Sequence, residues 1–190
     1  IYDRALAKRD VKRVVEVGAG VGRLALPMLR RNSGMRLSAV ERDESLRAGF
    51  MYRARDLLLD GRCDAVCTID DVSHWDSAAL ILPYNVVYYM HLGELTRLVT
   101  MALRGGLRAV LLDMDYVPKM RPLTQEARRT VTDGTEVFEE VVRPEAGTAD
   151  ARRLHVCWTA PGAGDQQWNF SVRVHSPAEV HHALCAGART

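Results

Sequence analysis

The segment that most restricts the fold is VVEVGAGVGR, residues 14–23, in which Glu16, Gly18, Gly20 and Gly22 form E-x-G-x-G-x-G. Before it, the β-branched run VKRVVEV, residues 11–17, predicts a buried strand. After it, GRLALPMLRR, residues 22–31, predicts a helix with Pro27 in its first turns and Asn32-Ser33-Gly34 as its stop. Glycines at a strand-to-helix crossover permit a tight turn and leave the backbone bare, and the helix start offers unpaired N–H groups. A nucleotide-like ligand is the natural occupant of such a turn.

The pattern repeats along the chain. RLSAVERD (36–43) predicts a second strand, residues 44–60 a second helix, CDAVCTI (63–69) a third strand and AALILPY (78–84) a fourth, the last apolar enough to be covered on both faces. Asn85 is expected to cap a long helix that ends at Arg104 before Gly105-Gly106, and LRAVLLDMDY (107–116) completes five strands. Alternating strands and helices imply an α/β, Rossmann-like doubly wound sheet, mainly parallel. Beyond Pro118 the period changes. EVFEEVV (136–142), RLHVCWT (153–159) and QWNFSVRVH (167–175) predict an antiparallel insert in the C-terminal third, with Trp168, Phe170, Val172 and Val174 on one face. A closing helix follows, with Ser176 as N-cap and Pro177 in its first position. The expected organisation is one domain, 1–190: a ligand-binding core over 11–116, the insert over 117–175 and the helix over 176–190.

Charge and composition narrow the partners. A net charge of +2 with scattered arginines gives no basic tract for nucleic acid, and Arg128-Arg129 and Arg152-Arg153 fit a solvated surface. Cys63, Cys67, Cys157 and Cys185 form no CxxC pair and are expected to be reduced, and His181-His182 lacks a third ligand at metal spacing, so no metal site is expected. With no apolar run of membrane length and no signal segment, the expected location is the cytoplasm, with no membrane partner.

The glycine spacing distinguishes two cofactor classes. Dinucleotide enzymes use G-x-G-x-x-G, whose third glycine would fall on Arg23, so an NAD(P)-dependent oxidoreductase is the weaker alternative. The tighter G-x-G-x-G, with an acid two residues before it, resembles the signature of class I S-adenosylmethionine-dependent methyltransferases. That resemblance implies S-adenosylmethionine as cofactor, held by the turn of Gly18, Ala19, Gly20 and Gly22, with Glu16 holding the methionine ammonium through its hydrogen-bond network. Glu41, at the end of the second strand, is placed to accept hydrogen bonds from two ribose hydroxyls, with Arg42 or Asp43 alongside; NAD enzymes share such an acid. In TIDDVSHW (68–75) the resemblance puts the adenine against Asp71 and Val72, with Asp70 as second choice and helix capping open for either acid. ALILPYNVVYYMHL (79–92) resembles the fourth-strand segment of small-molecule members, whose P-[YF]-N turn puts Pro83 and Tyr84 beside the methionine. The insert resembles one that forms a lid or a homodimer contact in sugar, amine and amino-acid N-methyltransferases.

On the acceptor side, transfer from a sulfonium needs mainly alignment and exclusion of water, with a base for an amine or hydroxyl. His91, two turns into the expected helix and on one face with Tyr88, is a candidate, as are Asp113 and Asp115 on one face of the fifth strand; surface or loop-capping roles remain open for all three. Tyr84, Tyr88 and Tyr89 either line the acceptor pocket or pack the helix. The acceptor is expected to be a small molecule, and the alanine- and arginine-rich composition resembles that of actinobacterial chains, which points to secondary metabolism. The family pattern has two further strands and a longer N-terminal segment than these 190 residues contain, and this keeps an inactive, methyltransferase-like partner subunit as a third reading.

Overall fold

The computed structural model describes residues 2–7, 9, 11–84, 86–114, 126–133, 136–144, 153–159 and 167–189. The strands β1 (Arg13–Val17), β2 (Arg36–Val40), β3 (Cys63–Val66), β4 (Ala78–Leu82) and β5 (Ala109–Leu112) form one sheet in the order β3-β2-β1-β4-β5, every neighbouring pair parallel. The chain begins in the middle, winds out to β3 and returns to β4, so the strand order reverses between β1 and β4. Beyond the strand ends at that reversal is where open α/β sheets hold their ligands.

Both faces of this sheet are covered by helices α1 (Tyr2–Ala7), α2 (Ala25–Arg31), α3 (Glu44–Asp56), α4 (Leu92–Arg104) and α5 (Pro177–Ala188). Alternate residues of a strand point to opposite faces. Val14, Ala79 and Ile81 accordingly join Leu26 and Leu29 of α2, Phe50 of α3 and Leu6 of α1. Their neighbours Val15, Leu80 and Leu82 join Leu95, Leu98 and Val99 of α4 and Val180 of α5. With both faces packed, all five residues of β4 are buried, which explains its uninterrupted apolar sequence.

The structure shortens several expected elements. The expected helix over 22–31 begins at Ala25, because residues 20–24 are spent on the glycine turn; Pro27 is its third residue, in the first turn, where its ring is tolerated and only the bond between the Leu26→Gly22 and Met28→Leu24 pairs is left out. The helix expected over 44–60 ends at Asp56, and Leu58 then takes a left-handed φ of 56° that a helix cannot continue through. The long helix expected from Asn85 is two elements: a 3-10 turn over Val86–Tyr89 and then α4, whose N-cap is His91. Asn85 itself lies outside the described residues, as does Asp115. Thr68 and Asp71 close a 3-10 turn that cuts the third strand short at Val66.

The insert is a four-stranded antiparallel meander, β6 (Ala127–Asp133), β7 (Glu136–Pro144), β8 (Arg153–Thr159) and β9 (Gln167–Arg173), in that order. The last three were expected from the sequence, β9 by its clean alternation; β6, ARRTVTD, has too few apolar residues for that signal and is a strand through its pairing with β7. Val172 and Val174 pack on the α4–α5 core, whereas the side chains of Trp168 and Phe170 lie outside the described residues. The chain then enters α5 through a capping box in which Ser176 Oγ accepts from the Glu179 N–H at 3.2 Å and Glu179 Oε2 accepts from the Ser176 N–H at 2.8 Å. Ser176→Ala is expected to lower stability by about 1 kcal/mol in urea denaturation. From α5, the Ala183 and Gly187 carbonyls accept from Thr96 and Thr100 of α4, each at 3.2 Å. No helix among the described residues is long and apolar enough to cross a membrane.

Candidate functional site

At the end of β1, the Gly18 and Ala19 N–H groups donate to the Val40 carbonyl at 2.8 and 3.2 Å, which turns the chain over β2. Gly18, Gly20 and Gly22 have φ of 69°, 53° and 82°, a region that side chains other than glycine's rarely tolerate. The three differ in what surrounds them. A Cβ on Gly18 would lie 2.6 Å from Val86 Cγ2, and one on Gly22 would lie 2.7 Å from Leu26 and 2.8 Å from Phe50. A Cβ on Gly20 would meet nothing within 4 Å, so this glycine borders open space.

Two acids frame the turn. Glu16 is 1% exposed, its Oε2 has no hydrogen-bond partner among the described residues, and burial pushes its carboxyl up to about 8. A buried carboxyl oxygen without a partner is costly, and an unsatisfied polar atom of this kind is one that a proton donor would satisfy. Glu41, at the end of β2, accepts from the Gly20 N–H at 2.9 Å through Oε2 and from the Asp43 N–H at 3.0 Å through Oε1. It thus ties the glycine turn to the start of α3, where Asp43 is the N-cap, accepting from the Leu46 N–H at 3.0 Å. Its hydrogen bonds, first to Ser45 and then to Leu46, hold the Asp43 carboxyl below its usual range. Arg42 is exposed beside them, and its carbonyl and that of Glu41 both accept from the Arg47 guanidinium, at 2.7 and 2.8 Å.

After β3, Asp71 Oδ2 accepts from both the N–H and the hydroxyl of Thr68, each at 2.9 Å, so this acid caps its own turn. Asp70 forms an exposed ion pair with Arg97 at 2.9 Å, and Val72 is buried. After β4, Pro83 is buried and Tyr84, 58% exposed, takes a left-handed φ of 51°. Strain of that kind in a bulky residue gathers at functional sites. The Arg23 guanidinium lies 5.6 Å from the Tyr84 ring centroid, which joins the glycine turn to this segment by a cation–π contact.

The acceptor-side candidates are not gathered together. His91 is exposed and caps α4 instead of lying two turns inside a helix, its N–H donating to Glu94 at 2.9 Å. Tyr88 is buried in the α4–α5 core and tilts against His175, ring centroids 6.5 Å apart. Asp113 follows β5 and accepts from the Tyr2 hydroxyl at 3.0 Å. Helix α1 was not expected from the sequence, and neither Tyr2 nor His175 stood among the candidate site residues; His175 is 1% exposed and bonds the Met90 carbonyl through Nε2 at 2.9 Å. Tyr2 and Asp113 also line a cavity of about 490 Å³ beside β5, together with Ala5, Met114, Val180 and His181.

No family model and no curated protein matches the chain. Solved structures do match. The CcbJ methyltransferase from Streptomyces caelestis superposes with a TM-score of 0.76 over 98% of this chain and 80% of its own, at 18% identity. An S-adenosylmethionine-dependent methyltransferase from Clostridium acetobutylicum gives 0.70 over 98% and 76%, at 9% identity. The chain has the fold of class I S-adenosylmethionine-dependent methyltransferases. A glycopeptide N-methyltransferase, MtfA, solved with S-adenosylhomocysteine, gives 0.58 over 98% and 75%, at 18% identity. In this methyltransferase fold Glu16, the glycine turn and Tyr84 all lie at the C-terminal ends of β1 and β4, at the reversal of strand order.

Proposed function

We propose that the chain binds S-adenosylmethionine at the glycine turn and transfers its methyl group to a small-molecule amine or hydroxyl. The observation that carries this reading is Glu16: a buried carboxyl, with one oxygen lacking a partner among the described residues, two residues before the first of three left-handed glycines, one of which borders open space. An ammonium group there would satisfy that oxygen, and the open space beside Gly20 admits a ligand against the turn. Glu41, with Arg42 alongside, is assigned to the ribose, its two oxygens already aimed by Gly20 and Asp43. Val72 with Asp71 or Asp70 is assigned to the adenine, and Pro83 and Tyr84 to the methionine.

The bound sulfonium would supply an activated carbon, and the protein would align an acceptor with it and keep water out. Asp113 is placed to orient that acceptor, and the β6–β9 sheet is assigned the role of lid or homodimer contact. The alanine- and arginine-rich composition extends this reading to an enzyme of secondary metabolism, with the cytoplasm as its proposed location. Calorimetry tests the cofactor: S-adenosylhomocysteine is expected to bind at micromolar strength, and no heat at high protein concentration would overturn the reading. Glu41→Ala is expected to weaken that binding about tenfold or more, because it removes both a charged acceptor and the tie on Gly20.

A further inference from the structure

We propose that the cleft between α2 and α3 is a binding site for a phosphate group carried on a small organic ligand, held by Arg30 and Arg53. This site is separate from the space assigned to S-adenosylmethionine and stands whether or not that assignment does.

The cleft follows from the spacing of residues on the two helices. Side chains three and four positions apart share a helix face. On α2 one such face is Pro27, Arg30 and Arg31, all exposed, while Leu26, Met28 and Leu29 fill the core beneath. On α3 it is the exposed Arg53 and the half-buried Leu57, with Phe50 and Ala54 turned into the core. These five residues line one cavity of about 430 Å³. Three of them are arginines and none is an acid, so like charges gather around a single space and an anion held there relieves their repulsion.

Basic residues in the last turn of a helix commonly serve its C-terminal carbonyls. At α2 that task falls to Arg62, whose guanidinium donates to the Leu29, Asn32 and Ser33 carbonyls at 3.0, 2.8 and 2.9 Å. The Arg30 side chain is left without a hydrogen bond or ion pair among the described residues. Arg53 is held from one side: its Nη1 donates to the Val21 carbonyl at 3.0 Å. A guanidinium carries five N–H donors in a planar fork, so Arg53 is fixed in place with most of its donors unspent. That fork matches the oxygens of a phosphate, and hydrogen bonds between charged groups are the strong ones. Pro27 and Leu57 add apolar wall for the organic part of the ligand. No residue of the glycine turn lines the cleft, so a ligand there and a ligand on the turn can be bound together.

Calorimetry on the whole chain at low salt tests this with two probes, phenyl phosphate and inorganic phosphate. Phenyl phosphate is expected to bind one per chain at submillimolar strength, about threefold or more tighter than inorganic phosphate. Arg30→Ala and Arg53→Ala should each weaken it about tenfold. Arg30→Ala should do so with an unchanged melting temperature, and Arg128→Ala, in β6, should leave the affinity as it was. Protein saturated with S-adenosylhomocysteine should bind phenyl phosphate as before. Equal affinity for the two probes would overturn the organic part of the ligand. Loss of phosphate binding under saturating S-adenosylhomocysteine would move the anion to the glycine turn and overturn the site, as would affinities untouched by both arginine variants, or no heat with either probe. Failure of S-adenosylhomocysteine itself to bind would overturn the cofactor reading alone, and the two arginine variants would still decide the cleft.

Discussion

Glu16→Gln is expected to make the free protein more stable at pH 8 and to weaken its cofactor binding about tenfold or more. In the fold the Glu16 carboxyl is pushed up from 4.5 to about 8 by burial. Between those two values the native chain holds a proton that the unfolded chain has released. Unfolding therefore becomes easier as pH rises through this window, and the contribution that protonated Glu16 makes at pH 4 has been lost by pH 9. The full swing is about 4–5 kcal/mol, since each unit of difference corresponds to about 1.4 kcal/mol. Glutamine is uncharged and nearly the same shape, so the variant should lack this component of the pH dependence and exceed the unaltered protein by several kcal/mol at pH 9. Urea denaturation at pH 5, 7 and 9 measures it; parallel pH profiles for the two proteins would show that Glu16 titrates normally. The same substitution removes the charge assigned to the methionine ammonium, and S-adenosylhomocysteine affinity should fall about tenfold or more. A gain in stability together with a loss of binding marks a group kept for its ligand and not for the fold.

The glycine turn and the acid before it were legible in the sequence because their signals are local. Glu16 and the three glycines stand within seven residues, and their left-handed backbone is a property that glycine itself announces. The parallel sheet was legible for a related reason, since apolar runs such as AALIL can be satisfied only where both faces are covered. Legibility failed where distant contacts decide. Nothing in YDRALA indicates that the Tyr2 hydroxyl meets Asp113, and QWNFSVRVH does not reveal that His175 leaves the alternating strand to become one of the most buried polar residues. The His91 error has a specific cause. Asn85 is a good N-cap residue and apolar side chains follow it, but the helix begins after His91, where Glu94 accepts from the His91 N–H at the third helical position. Asp71 shows the same ambiguity in reverse, because an acid read as a ligand contact is also the side chain that closes its own turn.

Gly20→Ala and Gly22→Ala are expected to separate binding from folding within one turn. Both positions have left-handed backbones, so each alanine carries a strain of about 1–2 kcal/mol. At Gly20 that is the whole structural effect, because the added methyl meets nothing within 4 Å. Gly20→Ala should remain folded with a modestly lowered melting temperature. Its methyl would stand in the space assigned to the cofactor, beside an N–H that holds Glu41, and S-adenosylhomocysteine affinity should fall about a hundredfold. At Gly22 the methyl would lie 2.7 Å from Leu26 and 2.8 Å from Phe50, both fully buried. Overpacking adds about 1–3 kcal/mol to the strain, so Gly22→Ala should lose about 2–5 kcal/mol of stability in urea denaturation. Whatever fraction stays folded at low temperature should bind S-adenosylhomocysteine within several-fold of the unaltered protein, since the clash points into the core between α2 and α3. Should Gly20→Ala bind normally while remaining folded, the ligand does not lie against this turn, and the assignment of Gly18, Ala19 and Gly20 as its cradle is wrong.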